Sequence, residues 1–415
     1  MIIGFDSLIY FTFIFFNVVH NLFGWGIVGD RRINVVLVLL GIIYLLVELF
    51  FGRKKGDISF WAKLVLIFLS VLVIGIGQTI SLMKLRQIHS VVGFINDSAL
   101  QTEIAGRFIL LGKNPYKEPY TDTDLAKWVY TDEQGNTVNP ALFSNVIPPF
   151  MLLLSAFGFR IFSQLFRWFD VRVFLLCFYI FLIFLGYLKF KKTTNFLLFL
   201  ILVCLNPLFV NNMAYGTNDV VVLFFLLISL LFLEKGKYFF TGLFSGMGVA
   251  TKQTFWFILP FIFAYIFYLN KNGFKKFFFS FLLIALMFYL PFLFWDSYAL
   301  VRSLLFYVGG SRDYQAPIHP IEGLSFGRLL VGIGKLPSIY SSHPFWIYQL
   351  ILGTIFLMLI FFLFRKQLKN INFILFAYTC FLSLIWFFNR YFLESHLAFI
   401  SVLVGVSYVW SQGKN

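Results

Sequence analysis

Long apolar runs recur along most of this sequence, separated by short polar stretches. Several of them approach the ~20 residues that an α-helix needs to cross a lipid bilayer. Of the 415 residues, 60% are hydrophobic and only 12% are charged, about half the charged share of soluble domains. The runs also lack the alternation of apolar and polar residues found in membrane barrels. The sequence therefore predicts an all-α polytopic membrane protein and excludes a soluble enzyme, a secreted disulfide scaffold and a disordered chain.

Hydropathy divides the apolar part of the chain into twelve candidate membrane spans. They are predicted at residues 7–28, 33–51, 60–83, 172–190, 195–210, 218–234, 238–252, 254–270, 277–295, 345–364, 371–388 and 391–410. A further apolar run, residues 141–166, contains two adjacent prolines and an arginine. It either crosses the bilayer or lies along its surface as an amphipathic helix.

Basic residues indicate how the 141–166 run is placed. They cluster between predicted spans, at residues 53–55, 189–192, 235–237, 271–276 and 365–369. If the run stays on one surface, all five clusters lie on the same side as both termini. Because Lys and Arg concentrate in cytoplasmic loops, this arrangement is favoured over one in which the first cluster lies opposite the others. It also explains the net charge of +15 without a nucleic-acid partner.

The resulting topology has about twelve transmembrane helices and a juxtamembrane helix on the outer face. A two-helix N-terminal addition at 1–59 precedes a core at 60–295. The core contains a first outer loop at 84–140 and the juxtamembrane helix at 141–166. A second large outer loop at 296–344 and a three-helix C-terminal part at 345–415 follow. Most of the 18 acidic residues fall on the outer side. Chemistry or recognition is therefore expected there, where nucleoside triphosphates are absent.

Two acidic residues of the first outer loop are candidates for catalysis. Asp97 and Glu103 are six residues apart, so a helix that begins at Asp97 places both roughly on one side. Asp97 is well placed to cap such a helix, which is its structural interpretation. Its functional interpretation is a general base at the membrane surface.

Two further candidates lie between predicted spans of the core. Asn218 and Asp219 open a strongly apolar helix, where either residue could act as its cap, but ionisable groups at membrane depth are also candidates for function. Lys252 is a lone charge between two apolar runs. It either extends to the membrane interface or binds an anionic group such as a phosphate.

The second outer loop and the turn after it contribute the remaining polar candidates. Arg312, His319 and Glu322 lie in a stretch that mixes charged, aromatic and glycine residues, as a site for a polar ligand does. Arg390 lies in the turn between the last two spans. It either pairs with Glu394, four residues later, or binds a lipid phosphate.

Five short segments occur in a set order along the core. They are Asp97 to Gly112-Lys113-Asn114-Pro115-Tyr116; Asn139-Pro140 to Pro148-Pro149-Phe150; Trp168-Phe169-Asp170; Leu205-Asn206-Pro207 to Gly216-Thr217-Asn218-Asp219; and Gly246 to Lys252, followed by Leu259-Pro260. In order and spacing, over about 90–270, they resemble the GT-C glycosyltransferases, which take a sugar from a polyprenyl-phosphate carrier on the non-cytoplasmic side. Within that superfamily the chain is similar to glycosyltransferase family 87 and to the catalytic subunit of glycosylphosphatidylinositol mannosyltransferase I.

The resemblance implies roles for several of these residues. It implies a catalytic acid in the first outer loop, which corresponds to Asp97, with Glu103 able to share or take the role. It implies that Asp219 and Lys252 lie near the sugar donor, and that 141–166 is a juxtamembrane helix.

The sequence departs from the pattern of its relatives in several places. Counted back from Gly112-Lys113-Asn114-Pro115-Tyr116, Asp97 lies one or two residues from the usual position of the acid, so Glu103 could share or take its role. The glycosylphosphatidylinositol enzymes often have two acids spaced Asp-x-Asp, where Asn96-Asp97-Ser98 supplies one. Relatives often read Gly-Gln-x-Asp where residues 216–219 read Gly-Thr-Asn-Asp.

The functional hypothesis is an inverting hexosyltransferase that moves a sugar, with mannose expected, from a polyprenyl-phosphate carrier to an acceptor hydroxyl. Asp97 would deprotonate the acceptor, while Lys252 and Arg390 would stabilise the donor phosphate. The acceptor would be a glycan, a lipid or a protein. Expected substrate contacts are Asn114, Tyr116, Asn218, Asp219, Arg312, His319 and Glu322.

Two other functions stay open at this point. One is a lipid-linked-sugar flippase or small-solute transporter, and the other is a non-catalytic subunit whose outer polar residues do not converge. No cluster of metal-ligating residues stands out, so no cofactor is indicated, and a divalent metal ion is left as an alternative. The compact loops favour the plasma membrane of a prokaryote, with the site facing outside and both termini cytoplasmic.

Overall fold

The computed structural model describes residues 4–22, 31–51, 56–132, 134–191, 193–307, 309 and 318–412. These residues form seventeen α-helices and one pair of two-residue parallel strands, joined by loops and by short 3₁₀ and π-helical turns. The helices are α1 (Phe5–Leu22), α2 (Arg31–Phe51), α3 (Gly56–Val71), α4 (Gln78–His89), α5 (Asp97–Leu110), α6 (Pro149–Phe166), α7 (Arg172–Phe190), α8 (Thr194–Phe199), α9 (Pro207–Tyr215), α10 (Asp219–Glu234), α11 (Tyr238–Val249), α12 (Leu259–Leu269), α13 (Lys271–Val301), α14 (Phe326–Gly332), α15 (Phe345–Leu363), α16 (Ile371–Phe387) and α17 (Glu394–Gln412). The strands are β1 (Glu322–Gly323) and β2 (Tyr391–Phe392).

Several of these helices have the length and apolar character of membrane spans. Within the described ranges there are six, at Phe5–Leu22, Arg32–Phe51, Asp57–His89, Arg172–Phe190, Lys271–Tyr307 and Phe345–Leu363. A seventh candidate, Thr194–Cys204 with Pro207–Tyr215, is bent by 51°. The bend coincides with Pro207, whose ring and missing N–H interrupt helical hydrogen bonding. The prediction of an all-α membrane protein is confirmed.

Several of the other predicted spans correspond to shorter helices. α10 has 16 residues and α11 has 12. Because an α-helix rises about 1.5 Å per residue, neither helix alone covers the ~30 Å hydrocarbon core of a bilayer. Hydropathy detects apolar runs, not the length of helix that each run forms. Twelve crossings therefore stay a prediction.

α10 is almost entirely buried and lies at the centre of the molecule. The ring of Phe225 packs there against Phe150 of α6 and Phe178 of α7, with centroids 5.2 and 5.6 Å apart. α11 lies close against α13 because small residues face it. A Cβ atom on Gly242 would lie 2.2 Å from the carbonyl oxygen of Phe277.

The two large loops lie at one end of the bundle, which we call the loop end. α7 and α10 run parallel, since Lys189 and Glu234 form an ion pair in their last turns. Both helices therefore begin at the loop end. α11 ends there, because Lys252 beyond its C-terminus pairs with Asp219 at the start of α10.

α6 both begins and ends at the loop end. Its start is tied to the residue after α11, because the N–H of Phe150 donates to the carbonyl of Ala250 at 2.9 Å. Near its other end, the ring of Phe162 packs 6.1 Å from Phe174 in the first turn of α7. Pro149 suits the first position of this helix, where an N–H has no intrahelical partner. This is the geometry expected of a helix that lies across the end of a bundle.

The two N-terminal helices are attached to α3 by a buried ion cluster. Lys63 of α3 contacts Asp6 of α1 at 2.6 Å and also Glu48 of α2. The hydroxyl of Tyr44 donates to Asp6 at 3.0 Å. The first two helices are therefore packed against the rest of the bundle by specific polar contacts.

Candidate active site

Asp97 is the first residue of α5. The residue before it, Asn96, caps the helix, because its side-chain oxygen accepts the N–H of Ser98 at 2.9 Å. The capping role considered for Asp97 therefore belongs to Asn96. Asp97 Oδ1 also accepts a hydrogen bond from the N–H of Ser98, at 2.8 Å. Its Oδ2 accepts one from Nδ2 of Asn139, at 3.3 Å.

The electrostatic surroundings of Asp97 suit a base. Burial raises the pKa of this carboxyl above its ordinary value, although the hydrogen bonds from Asn139 and Ser98 act in the opposite direction. Among its neighbours, His319 lowers the pKa and the negative charge of Glu322 raises it. A carboxylate whose pKa is raised toward neutrality is a more effective proton acceptor.

His319 and Glu322 are brought to Asp97 by the small parallel sheet. Glu322 lies in β1, which pairs with Tyr391 of β2. The hydroxyl of Tyr130 donates to Glu322 Oε1 at 2.8 Å. The ring of His319 lies 4.8 Å from that of Tyr391, and its Nδ1 lies 3.0 Å from the carbonyl oxygen of Pro320. Segments more than 200 residues apart therefore converge at one place.

Burial of His319 favours its neutral imidazole over the charged form. Burial lowers the pKa of His319, and the positive charge of Arg390 lowers it further. The hydrogen bond with the carbonyl of Pro320 and the negative charge of Asp97 act in the opposite direction. A neutral imidazole can donate or accept a hydrogen bond toward a sugar hydroxyl.

A second polar cluster joins the start of α10 to the residues that follow α11. Lys252 Nζ donates to Asp219 Oδ1 at 2.7 Å, and Asn218 Nδ2 approaches the carbonyl of Thr251 at 3.5 Å. The Asp219 side chain is 6% exposed and the Lys252 side chain 26%. Asp219 Oδ2 accepts no hydrogen bond from the described residues. Asp219 and Lys252, which the resemblance implies to lie near the donor, are therefore neighbours, and Asn218 lies beside them.

Aromatic side chains link the two clusters. The ring of Tyr391 lies 4.8 Å from His319 and 5.8 Å from His396. His396, in turn, is within electrostatic reach of Lys252. The Asp97 cluster and the Lys252 cluster thus share one region of the loop end.

The sequence model of glycosyltransferase family 87 matches residues 147–388, more than half of the chain. The chain belongs to glycosyltransferase family 87. With its membrane-span helices, it is a membrane glycosyltransferase. A comparison with curated proteins finds no similar sequence. The specific likeness to the glycosylphosphatidylinositol mannosyltransferase stays a prediction.

The family match covers part of the candidate site. The matched range of this family 87 protein includes four of the site residues, Asp219, Lys252, His319 and Glu322. Asp97 precedes the range by 50 residues. The role of Asp97 therefore depends on the geometry of the site.

Glu103 lies in a different environment from Asp97. It is fully buried, and Arg86 binds both of its carboxylate oxygens, at 2.9 and 2.7 Å. Its Oε1 also accepts the N–H of Val171 at 2.9 Å. Burial raises the pKa of Glu103, and the contacts with Arg86 counteract this. These contacts leave the carboxylate no opening toward a substrate, so the expectation that it shares the role of base is not supported.

Arg86 and Glu103 belong to a larger buried ion network. Arg86 also binds Asp170 at 2.8 Å, and Asp170 binds Arg172 through both of its oxygens. Arg172 then donates to the carbonyl oxygens of Phe94 and Ala214, at 2.7 and 3.1 Å. The network thereby fixes the loop before Asp97 against α9, close to the chain that leads to Asp219.

Asn114 and Tyr116 were expected to contact substrate, but both are buried in the loop itself. Asn114 Oδ1 accepts the N–H of Tyr116 at 3.0 Å. The Tyr116 hydroxyl donates to the carbonyl of Ile147 at 2.8 Å, and its ring packs against Phe292. In this position they hold the loop against α13 and the start of α6, and their contact with substrate stays a prediction.

Arg390 is also fully buried. It donates to the carbonyl oxygens of His319, Ile339 and Ser341, the last at 3.0 Å, while its Nη1 has no partner among the described residues. Burial lowers its pKa to about 10. Arg390 does not form the ion pair with Glu394 that was considered as an alternative, because these carbonyl oxygens bind its guanidinium. Arg312 lies outside the described residues.

The sequence alone did not identify every residue of this site. Asn139, Tyr130 and Tyr391 contact the expected acids or His319, but a single polar side chain in a long loop gives no signal of its partner. Asn139-Pro140 belonged to a segment of the resemblance, which was the one available indication. Among the described residues, no three His, Cys, Asp or Glu side chains are grouped as a metal site.

Proposed function

We propose that this glycosyltransferase transfers a hexose, with mannose expected, from a polyprenyl monophosphate to an acceptor hydroxyl with inversion at the anomeric carbon. Asp97 takes the proton of the acceptor hydroxyl as its oxygen attacks that carbon. The bond from the carbon to the phosphate oxygen breaks, and the polyprenyl phosphate leaves with the electron pair. The acceptor is a glycan, a lipid or a protein.

The observation that carries this proposal is the setting of Asp97. Its carboxylate has a raised pKa and, among the described residues, accepts hydrogen bonds from Ser98 and Asn139 alone. It also lies within electrostatic reach of His319 and Glu322 from the second loop. This combination of a proton acceptor with nearby polar groups suits the binding and activation of a hydroxyl.

Lys252 is proposed to bind the donor phosphate. An ammonium group has three donors, and Asp219 accepts one of them. The remaining donors can bind phosphate oxygens and stabilise the negative charge that builds on the leaving group. Asp219 and Asn218 then orient Lys252 and contact the sugar, whereas Arg390 supports the carbonyls of the loop that carries His319.

The site is proposed to face the outside of a prokaryotic plasma membrane, with both termini cytoplasmic and α6 lying on the outer surface. The distribution of basic residues and the position of both ends of α6 support this topology. Single cysteines introduced at Ser341 and Lys366, in a variant lacking Cys177, Cys204 and Cys380, test it. A membrane-impermeant thiol reagent added to intact cells should label the first position and not the second. Labelling at Lys366 instead would reverse the orientation.

The donor class is tested with the purified protein in lipid nanodiscs. Polyprenyl-phosphate mannose, polyprenyl-phosphate glucose and the corresponding nucleotide sugars are supplied in parallel, and release of the sugar is measured. We expect release only from the polyprenyl-phosphate sugars. Turnover of a nucleotide sugar alone would contradict the proposed donor.

A further inference from the structure

A groove lies on the far part of α5, away from the cluster around Asp97. It has a volume of about 520 Å³ and is lined by α5 and by the loop at 121–127. Ligand sites in proteins commonly range from about 300 to 1,000 Å³. The groove is therefore large enough for an organic ligand, and no role described above involves it.

Arg107 is the principal polar group of the groove. Its guanidinium carbon lies over the ring of Phe159 in α6, 4.5 Å from the ring centroid. Its Nε is buried and has no hydrogen-bond partner in the described part of the chain. A guanidinium oriented by an aromatic ring, with donors available, suits recognition of oxygen-rich ligands.

The opposite wall supplies acceptors and hydroxyl groups. Thr121 and Asp122 are exposed there, and Asp124 pairs with Lys127 at 2.9 Å. Ile104 and Phe108 of α5, with Leu111 just beyond its end, form an apolar floor. Sugars require this mixture, because their hydroxyls both donate and accept hydrogen bonds while their C–H faces pack on apolar surface.

The charges of the groove balance. Arg107 and Lys127 supply two positive charges, and Asp122 and Asp124 supply two negative ones. A site for phosphate or another anion would have an excess of positive charge. The groove therefore favours a neutral ligand.

The groove and the Asp97 cluster lie on the same stripe of α5. Asp97, Ile104 and Leu111 repeat every seven residues, which places them on one face of a helix. Between Asp97 and the groove, the segment that contains Ala141 and Ser144 covers α5 at Gln101. The Nε2 of Gln101 donates hydrogen bonds to the carbonyl oxygens of both residues. Ten residues of helix separate Asp97 from Arg107, about 15 Å along the axis at the usual rise.

We propose that this groove binds a neutral oligosaccharide portion of the acceptor, at a distance from the hydroxyl that receives the new sugar. The proposal rests on the proposed function, in which Asp97 activates that hydroxyl. A single sugar cannot reach both places, so an acceptor that uses the groove has several sugar units.

The test uses the purified full chain in nanodiscs and two probe series, mannose and glucose with their linear oligosaccharides, each with and without a terminal phosphate. Binding of these probes is measured directly, and hydrolysis of polyprenyl-phosphate mannose is measured in parallel. We expect binding to strengthen with chain length and the neutral chains to bind at least as well as the phosphorylated ones. Arg107→Gln and Asp122→Asn should each weaken binding of the longest chain about tenfold, as loss of a charged hydrogen bond does, and leave donor hydrolysis unchanged.

Matched controls and donor hydrolysis separate the two proposals. Arg160→Gln on the exposed face of α6 and Glu118→Gln outside the groove should bind like the wild type. Unchanged binding by both groove variants, tighter binding of the phosphorylated chains, or no binding of any oligosaccharide would each overturn the groove as an acceptor site. Donor hydrolysis in that case would leave the proposed function standing. Conversely, length-dependent binding without hydrolysis by the wild type would contradict the proposed function and not the groove.

Discussion

Arg86 binds both carboxylate oxygens of Glu103, at 2.9 and 2.7 Å, inside a fully buried ion network. This contact separates the two acids of α5, which lie only six residues apart. Glu103 fixes the end of α4 against α5 and the start of α7, whereas Asp97 lies beside polar groups of the second loop. One acid has a structural setting and the other has the setting of a base.

The first prediction concerns Glu103→Gln. Removing one charge from a buried, paired group leaves Arg86 partly uncompensated, and breaking such pairs costs about 3–5 kcal/mol. We expect a lower midpoint of thermal unfolding, measured in detergent by loss of the monodisperse fraction after heating. Glu118→Gln, in the first outer loop, should unfold like the wild type. An unchanged midpoint together with lost turnover would indicate that Glu103 takes part in catalysis.

The second prediction concerns the pH dependence of turnover. Burial raises the pKa of Asp97, so this base protonates, and kcat/KM falls, at a pH above the ordinary aspartate value of about 3.9. The negative charge of Glu322 also raises this pKa. In Glu322→Gln the acid limb of the kcat/KM profile should therefore move to lower pH. An acid limb that stays in place, or moves upward, would contradict this coupling.

The third prediction concerns the pair of Lys252 and Asp219. Lys252→Met should lower kcat/KM for the donor about 100-fold, because a preorganised charge at the leaving group is lost. It should also lower stability, since Asp219 is then a buried unpaired charge. The double variant Lys252→Met/Asp219→Asn should regain stability and not activity. If activity returned with stability, Lys252 would serve only to neutralise Asp219. Lys335→Met, at an exposed site, is the control.

The sequence predicted the helical membrane fold because apolar runs of bilayer length have few alternatives. The resemblance implied that Asp219 and Lys252 both lie near the donor; the two side chains form an ion pair at 2.7 Å, and their place near the donor stays a prediction. The sequence did not distinguish Asp97 from Glu103, because spacing places residues on a helix face without showing what covers that face. Arg86, which decides the matter, lies 17 residues before Glu103 and three residues beyond the end of a predicted span.

Asn114 and Tyr116 show the same limit for the loops. Both occur in a segment of the resemblance, yet their side chains are directed into the loop's own core, toward Ile147 and Phe292. A sequence motif at a functional site can include the residues that shape a loop as well as those that contact a ligand. The convergence of His319 and Glu322 on Asp97, which a non-catalytic subunit would not require, depends on a two-residue sheet that no local pattern indicates.

The role of Asp97 as the base is tested most directly by Asp97→Asn. Transfer or hydrolysis of polyprenyl-phosphate mannose is measured for purified wild-type and variant proteins with equal thermal unfolding midpoints. We predict a loss of turnover of about 100-fold to 10,000-fold, the usual contribution of a positioned base, with donor binding retained. Equal turnover by the two proteins would contradict the assignment of Asp97 as the base.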